Sequence, residues 1–190
     1  MRVLLVGAGG VGSAVVPIAA RRDFFETMVV ADYDRGRAER AVALGADARF
    51  VTAQVDASNA ESVAALVREH SITHVLNAVD PRFVLPLFNG ALAAGADYLD
   101  MAMSLSFPHP TDPYHQTGVK LGDEQFAAAP EWERLGRLAL VGIGVEPGLS
   151  DIFARYAADE LFSEIDEAGV RDGSDLEVDG YSFAPSFSMP

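Results

Sequence analysis

Gly7-Ala8-Gly9-Gly10-Val11-Gly12 is the stretch of this sequence best suited to holding a ligand. Glycine in the first place permits a tight turn, in the third it leaves the backbone bare for a diphosphate, and in the sixth it lets a helix lie close to a strand. An apolar run, Val3–Val6, precedes it, and a helix-like segment follows. The start of that helix would turn free N–H groups and the positive end of its dipole toward the phosphates. Asp32 closes a second apolar run, where a carboxylate accepts hydrogen bonds from ribose hydroxyls and repels a 2′-phosphate. The pattern predicts a bound dinucleotide, NAD ahead of NADP. Arg35 and Arg37 keep NADP open, because either could hold a 2′-phosphate or lie on the exposed face of the next helix.

Ligands of such a sheet bind beyond the carboxyl ends of its strands. Asp100 and Ser104 follow the fifth expected strand and are the candidate catalytic residues. Asp100 is the first choice for a carboxylate that handles a proton or orients an amine, with capping of the loop as its other reading. His109, Tyr114, His115 and Lys120 lie in a proline-rich stretch. Histidine shuttles protons near neutral pH, but it is also common on mobile surface loops. Pro147 and Gly148 would start a helix whose amides could meet a carboxylate or the nicotinamide carboxamide, with Glu146 facing the same cleft. No His/Asp/Glu cluster has metal-ligand spacing, so no metal is expected. A GxSxG pattern is missing, and the glycine turn lacks the Lys-Ser/Thr of a P-loop.

The elements that must position these residues alternate. Strands are predicted at Val3–Val6, Met28–Ala31, Ala48–Gln54, Thr73–Asn77, Asp97–Met101 and, fully buried, Leu138–Ile143. Helices are predicted from Val11 to about Arg22 around Pro17, over Arg35–Leu44 with Gly45 as C-cap, and from a Ser58/Glu61 capping box to about His70. Others are expected over Pro86–Ala94 up to Gly95, over Gly122–Gly136 with a break at Pro130, and after Gly148 to about Phe162. This order implies an α/β, Rossmann-type, doubly wound parallel sheet with right-handed crossovers. Residues 106–123 break the rhythm as a long loop of the kind that forms lids. The expected domains are 1–145, the dinucleotide-binding unit, and 146–190, the start of a second α+β domain with strand-like pieces at Ala168–Arg171 and Leu176–Phe183. An unfinished sheet over Gly180–Phe187 could pair with a second copy to give a homodimer.

With 190 residues, 49% of them hydrophobic, the chain can bury a sizeable core. Fourteen basic against 28 acidic residues leave a net charge of −14, which argues against sequence-independent binding to nucleic acid or to an anionic membrane. The absence of cysteine excludes disulfides, thiolate metal sites and cysteine nucleophiles, and a cytoplasmic setting fits. Arg2 and the apolar stretch to Ala20 imitate a secretory signal, but the glycine spacing explains that segment better.

Val145-Glu146-Pro147-Gly148-Leu149-Ser150-Asp151, taken with the N-terminal glycines, resembles the saccharopine dehydrogenase family. That group includes lysine 6-dehydrogenase-like and carboxynorspermidine-forming enzymes. Val55–Asn59, Asn77-Ala78 and Tyr98-Leu99-Asp100 also match. The resemblance implies an NAD(P)-dependent oxidoreductase that reversibly oxidises a C–N bond in an amino-acid-derived amine. Carried over by position, Gly7, Gly9, Gly10, Val11 and Gly12 would hold the pyrophosphate and Asp32 the adenosine ribose. Asp56 would meet the adenine or serve as a turn residue beside Ser58, and Asn77, Ala78 and Val79 would lie along the cofactor or simply end the strand. Asp80 departs from the more apolar family pattern. Family members continue into a substrate and dimerisation domain that this chain only begins, so weak or no turnover is expected of the chain alone. The alternative reading is a non-catalytic dinucleotide-binding regulatory module.

Overall fold

The computed structural model describes residues 1–171. Six strands form one parallel sheet: β1 (Arg2–Val6), β2 (Thr27–Asp32), β3 (Phe50–Gln54), β4 (His74–Asn77), β5 (Asp97–Asp100) and β6 (Ala139–Leu140). Their spatial order is β3-β2-β1-β4-β5-β6. Helices α1 (Gly10–Ala19), α2 (Arg35–Gly45), α3 (Ala60–Glu69) and α4 (Val84–Ala94) make the crossovers. The short α5 (Asp123–Ala127) and α6 (Ala129–Arg134) lead into β6, and α7 (Leu149–Tyr156) follows it. The chain order reverses between β1 and β4, and in such sheets the ligand crevice opens at the carboxyl ends of the strands flanking that switch.

Central strands covered on both faces carry continuous apolar runs, because neither face meets water. Val3–Val6 and Met28–Ala31 are buried throughout. On one face, residues such as Val16, Ala38 and Ala41 of α1 and α2 pack on Leu5, Val30 and Phe50. On the other, Val63, Val67, Leu87, Phe88 and Trp132 pack on Leu4, Val29, Val75 and Tyr98. Arg49 straps α1 to β3, donating to the carbonyls of Ala20 and Arg22 and to Asp47. Its guanidinium stacks 4.3 Å from the Phe25 ring centre.

Several boundaries differ from expectation. β6 is a two-residue edge strand, and Leu138 and Leu140 are 63% and 43% exposed rather than buried. As the outermost strand it pairs with β5 alone. Gly45 is the last helical residue, and Ala46 takes the left-handed cap at φ 49°. Glycine is needed at 45 for space: a Cβ there would fall 2.8 Å from Phe50 and Val16. The Ser58/Glu61 capping box does not form; Asn59 caps α3, accepting from the amides of Glu61 and Ser62. Ser58 instead donates its hydroxyl to Asp56. α4 starts at Val84, preceded by a 3-10 turn over Pro81–Phe83.

Two units divide within α7, Met1–Asp151 and Ile152–Pro190. In the second unit a single turn of π-helix, Ala157–Leu161, follows α7, and Arg155 pairs with Asp159. Ala168–Arg171 is irregular rather than a strand. The expected strand Leu176–Phe183 and the pairing edge Gly180–Phe187 lie outside the described residues.

Candidate dinucleotide site

The turn after β1 is built as the glycine spacing demands. Gly7 has φ +102°, and a Cβ there would fall 2.5 Å from the Ala78 carbonyl oxygen. A Cβ on Gly12 would overlap the Gly7 carbonyl at 1.7 Å, so only glycine lets α1 approach this closely. Around Gly9 and Gly10 a Cβ would meet nothing within 4 Å, leaving bare backbone open to an incoming group. The first amides of α1 carry no side-chain cap, and no acidic residue occupies the first turn. Unsatisfied donors at a positive helix end suit a diphosphate. These residues fit the phosphate portion of a dinucleotide.

Asp32 ends β2 on the same rim. Its Oδ2 accepts from the Ala8 amide at 2.8 Å and its Oδ1 from the Asp34 amide at 2.9 Å. An ionised carboxylate offers about four acceptor positions, so the two left over can take ribose hydroxyls. A crevice of about 450 Å³ lies beside it, lined by Gly7, Gly9, Tyr33, Arg37, Asp56 and Phe83 among others. The Ser58 hydroxyl and amide hold the Asp56 carboxyl below the usual carboxylate range. Arg82 does the same for Asp80, also on this wall. Arg37 lines the crevice and reaches Asp34 only at 3.9 Å, whereas Arg35 is paired with Glu39 at 3.1 Å and does not line it. Of the two arginines singled out by sequence, the geometry brings only Arg37 to the site.

A second cavity of about 150 Å³ continues past Val11, between the ends of β4 and β5. Asn77, Ala78, Val79, Asp100, Met101 and Ala102 border it. Asn77 is buried; its Oδ1 accepts from the Val79 amide and its Nδ2 donates to the Tyr98 hydroxyl at 2.8 Å. Burial and the nearby Asp100 charge push the Tyr98 pKa up and keep that hydroxyl protonated.

Asp100 is 1% exposed and borders the same cavity, and its hydrogen bonds are those of the loop-capping reading. Its Oδ1 accepts from the amides of Met103 and Gly142, and its Oδ2 from Gln125 Nε2 at 2.7 Å. An aspartate at a strand end captures the amides of the loops that pass it, and here two loops are tied to one carboxylate. Ser104 is equally buried, and its hydroxyl has no partner among the described residues. Its amide donates to Gln125 Oε1. The two loops also interlock at glycines. A Cβ on Gly142 would meet Met103 at 2.4 Å, and one on Gly144 the Met101 carbonyl at 2.4 Å.

The loop over 106–123 closes on itself through the Phe107–Val119 bridge. His115 bonds Asp112 on the exposed surface, and His109 accepts from the Asp112 amide. Tyr114 is fully displayed and Lys120 exposed; none of the four borders either cavity. The α7 amides expected to be free are spent: Gly148 donates to Asp151, Leu149 to the Gly144 carbonyl and Ser150 to that of Val145. Sequence reasoning missed Gln125, Tyr33 and Phe83. A glutamine in a five-residue helix leaves no periodic signal, but aromatics just after strand ends could have been read as adenine neighbours.

Fold, glycine turn and rim carboxylate together define a Rossmann-type dinucleotide-binding domain. The model of the saccharopine dehydrogenase NADP binding domain matches residues 3–140, and the chain belongs to that family. NAD(P) is accordingly its cofactor class. A carboxyaminopropylagmatine dehydrogenase of Synechocystis sp. is 28% identical over 98% of this chain and 45% of its own length. A carboxynorspermidine synthase of Vibrio cholerae is 28% identical over 90% of this chain and 43% of its own. The chain thus spans less than half the length of these curated relatives. Among solved structures, saccharopine dehydrogenase (L-Glu forming) from Saccharomyces cerevisiae superposes with a TM-score of 0.63 at 18% identity, covering 84% of this chain and 31% of that one. That likeness speaks to the fold. No helix among the described residues is long and apolar enough to cross a membrane, and no group of three or more His, Cys, Asp or Glu could hold a metal.

Proposed function

We propose that this chain is the cofactor-binding part of an NAD(P)-dependent oxidoreductase acting on a C–N bond of an amino-acid-derived amine. The observation that carries the reading is the bare backbone at Gly9 and Gly10 beside the uncapped start of α1, with Asp32 on the same rim. Two relatives named for carboxyaminopropylagmatine and carboxynorspermidine support the substrate class. When bound, the nicotinamide supplies hydride transfer to or from a carbon that bears nitrogen. The chain's own residues bind and orient: α1 and the glycine turn take the diphosphate, Asp32 the adenosine ribose, and the ends of β4 and β5 the reactive end.

NAD is the preferred form in this reading. Asp32 and Asp56 face the crevice beside the guanidinium of Arg37, Asp80 on the same wall is paired with Arg82, and Asp56 and Asp80 stay ionised through neutral pH. A 2′-phosphate would enter a wall of net negative charge. The enzyme acts on a small-molecule amine in the cytoplasm, and sedimentation velocity reads whether it self-associates.

Titration of NAD and NADP against the native chain and Asp32→Ala tests this. The native chain binds NAD more tightly. Asp32→Ala lowers NAD affinity about tenfold, the scale of a charge-assisted hydrogen bond, and narrows the gap to NADP. An unchanged ratio would overturn the ribose role of Asp32. Binding without amine oxidation by the full-length polypeptide would favour the regulatory module instead.

A further inference from the structure

Asn77, Asp100, Ser104 and Gln125 are the polar residues buried within the described chain, and all gather at the carboxyl end of β4 and β5. They form two sets of bonds. The Val79 amide donates to Asn77, and Asn77 donates to the Tyr98 hydroxyl. Asp100 accepts from Gln125, which accepts from the Ser104 amide. Both sets border the smaller cavity, the first through Val79 and Asn77 and the second through Asp100. Gln125 does not border that cavity; it sits at the far end, on α5.

The chemistry at Gln125 is specified by its neighbours. The Ser104 amide can only donate, and an ionised Asp100 can only accept. A primary amide is the side chain of this length that answers both, which also fixes which way it points. Carboxylate in its place would face Asp100 with no proton between them, and a thioether would leave a buried donor and a buried charge unpaired.

Resting on the dinucleotide reading above, we propose that Gln125 is a positioning residue for the reactive end of the cofactor. It fixes the Asp100 carboxylate, which borders the cavity between β4 and β5, so that this cavity is held in the shape that receives the nicotinamide. Neither Gln125 nor Asp100 lines the adenosine crevice or hydrogen-bonds the glycine turn. Gln125 thus governs one end of the ligand and leaves the other alone.

Calorimetric titration of two probes, NAD and ADP-ribose, separates the ends, because ADP-ribose lacks the nicotinamide. The native chain binds NAD more tightly than ADP-ribose. In Gln125→Met the NAD affinity falls about tenfold, the equivalent of a lost buried hydrogen bond, while ADP-ribose stays within about twofold. Gln125→Glu, nearly isosteric, carries the test if the methionine variant does not fold. It binds NAD weakly at pH 8 and recovers as the pH is lowered, because a protonated carboxyl regains the donor that Asp100 needs; ADP-ribose affinity does not follow that profile. A merely structural role would weaken both probes together, and that result, or unchanged NAD binding in both variants, overturns the proposal. Failure of the native chain to bind ADP-ribose would instead overturn the dinucleotide reading and this inference with it.

Discussion

β1–β3 carry helices on both faces, whereas within the first unit β4–β6 carry them on one. α1 and α2 cover the upper face of the first half, and α3 and α4 run beneath. Beyond α1 the upper face of the second half opens into an apolar groove of about 410 Å³, lined by Val15, Ile18, Phe24, Leu76 and Leu99 among others. The glycine turn and Asp32 belong to the complete half. The cavity between β4 and β5 borders the incomplete one.

Three substitutions press on that contrast. Phe88 lies beneath β5, 1% exposed, its ring centre 5.3 Å from Tyr98 and 4.9 Å from Trp132. Phe88→Ala should cost about 4 kcal/mol in urea denaturation, because it empties the covered face of the second half. ADP-ribose should still bind to whatever remains folded. Gly12→Ala should cost about 3 kcal/mol and remove dinucleotide binding altogether, since the atom it strikes is backbone and cannot step aside. Retention of binding there would show that the first half is less rigid than its contacts imply. Leu99→Ser should change stability by no more than about 0.5 kcal/mol while lowering binding of a hydrophobic dye. A loss above about 2 kcal/mol would mean that the groove is filled in the folded protein.

Much of the first half was legible in the residues alone. Val3–Val6, Met28–Ala31, the glycines and Asp32 state the same arrangement at several levels: run, turn, helix start and acid. Agreement of that kind marks a segment whose local preferences serve the whole fold. The second half was harder to read. Leu138–Ile143 is apolar enough to look like a buried central strand, yet it forms a two-residue edge, because exposure there depends on what lies over it. Asp100 is legible as a strand-end acid that faces a cleft or caps a loop, but what it holds is not legible. Its partners, Met103, Gly142 and Gln125, come from two separate loops and from α5, and no spacing rule brings them together. Asn59 displaced Ser58 as the helix cap because Asp56 had already engaged the serine.

The interlocked glycines of the two loops carry one more consequence. A side chain at Gly144 would strike the Met101 carbonyl, and Gly142 sits at φ +70°, where a side chain is strained, so neither position is free to vary. Diversification of this chamber across descendants would have to proceed through groups that already project into it, such as Met101, Ala102 and Val79, while the seam behind them is inherited intact.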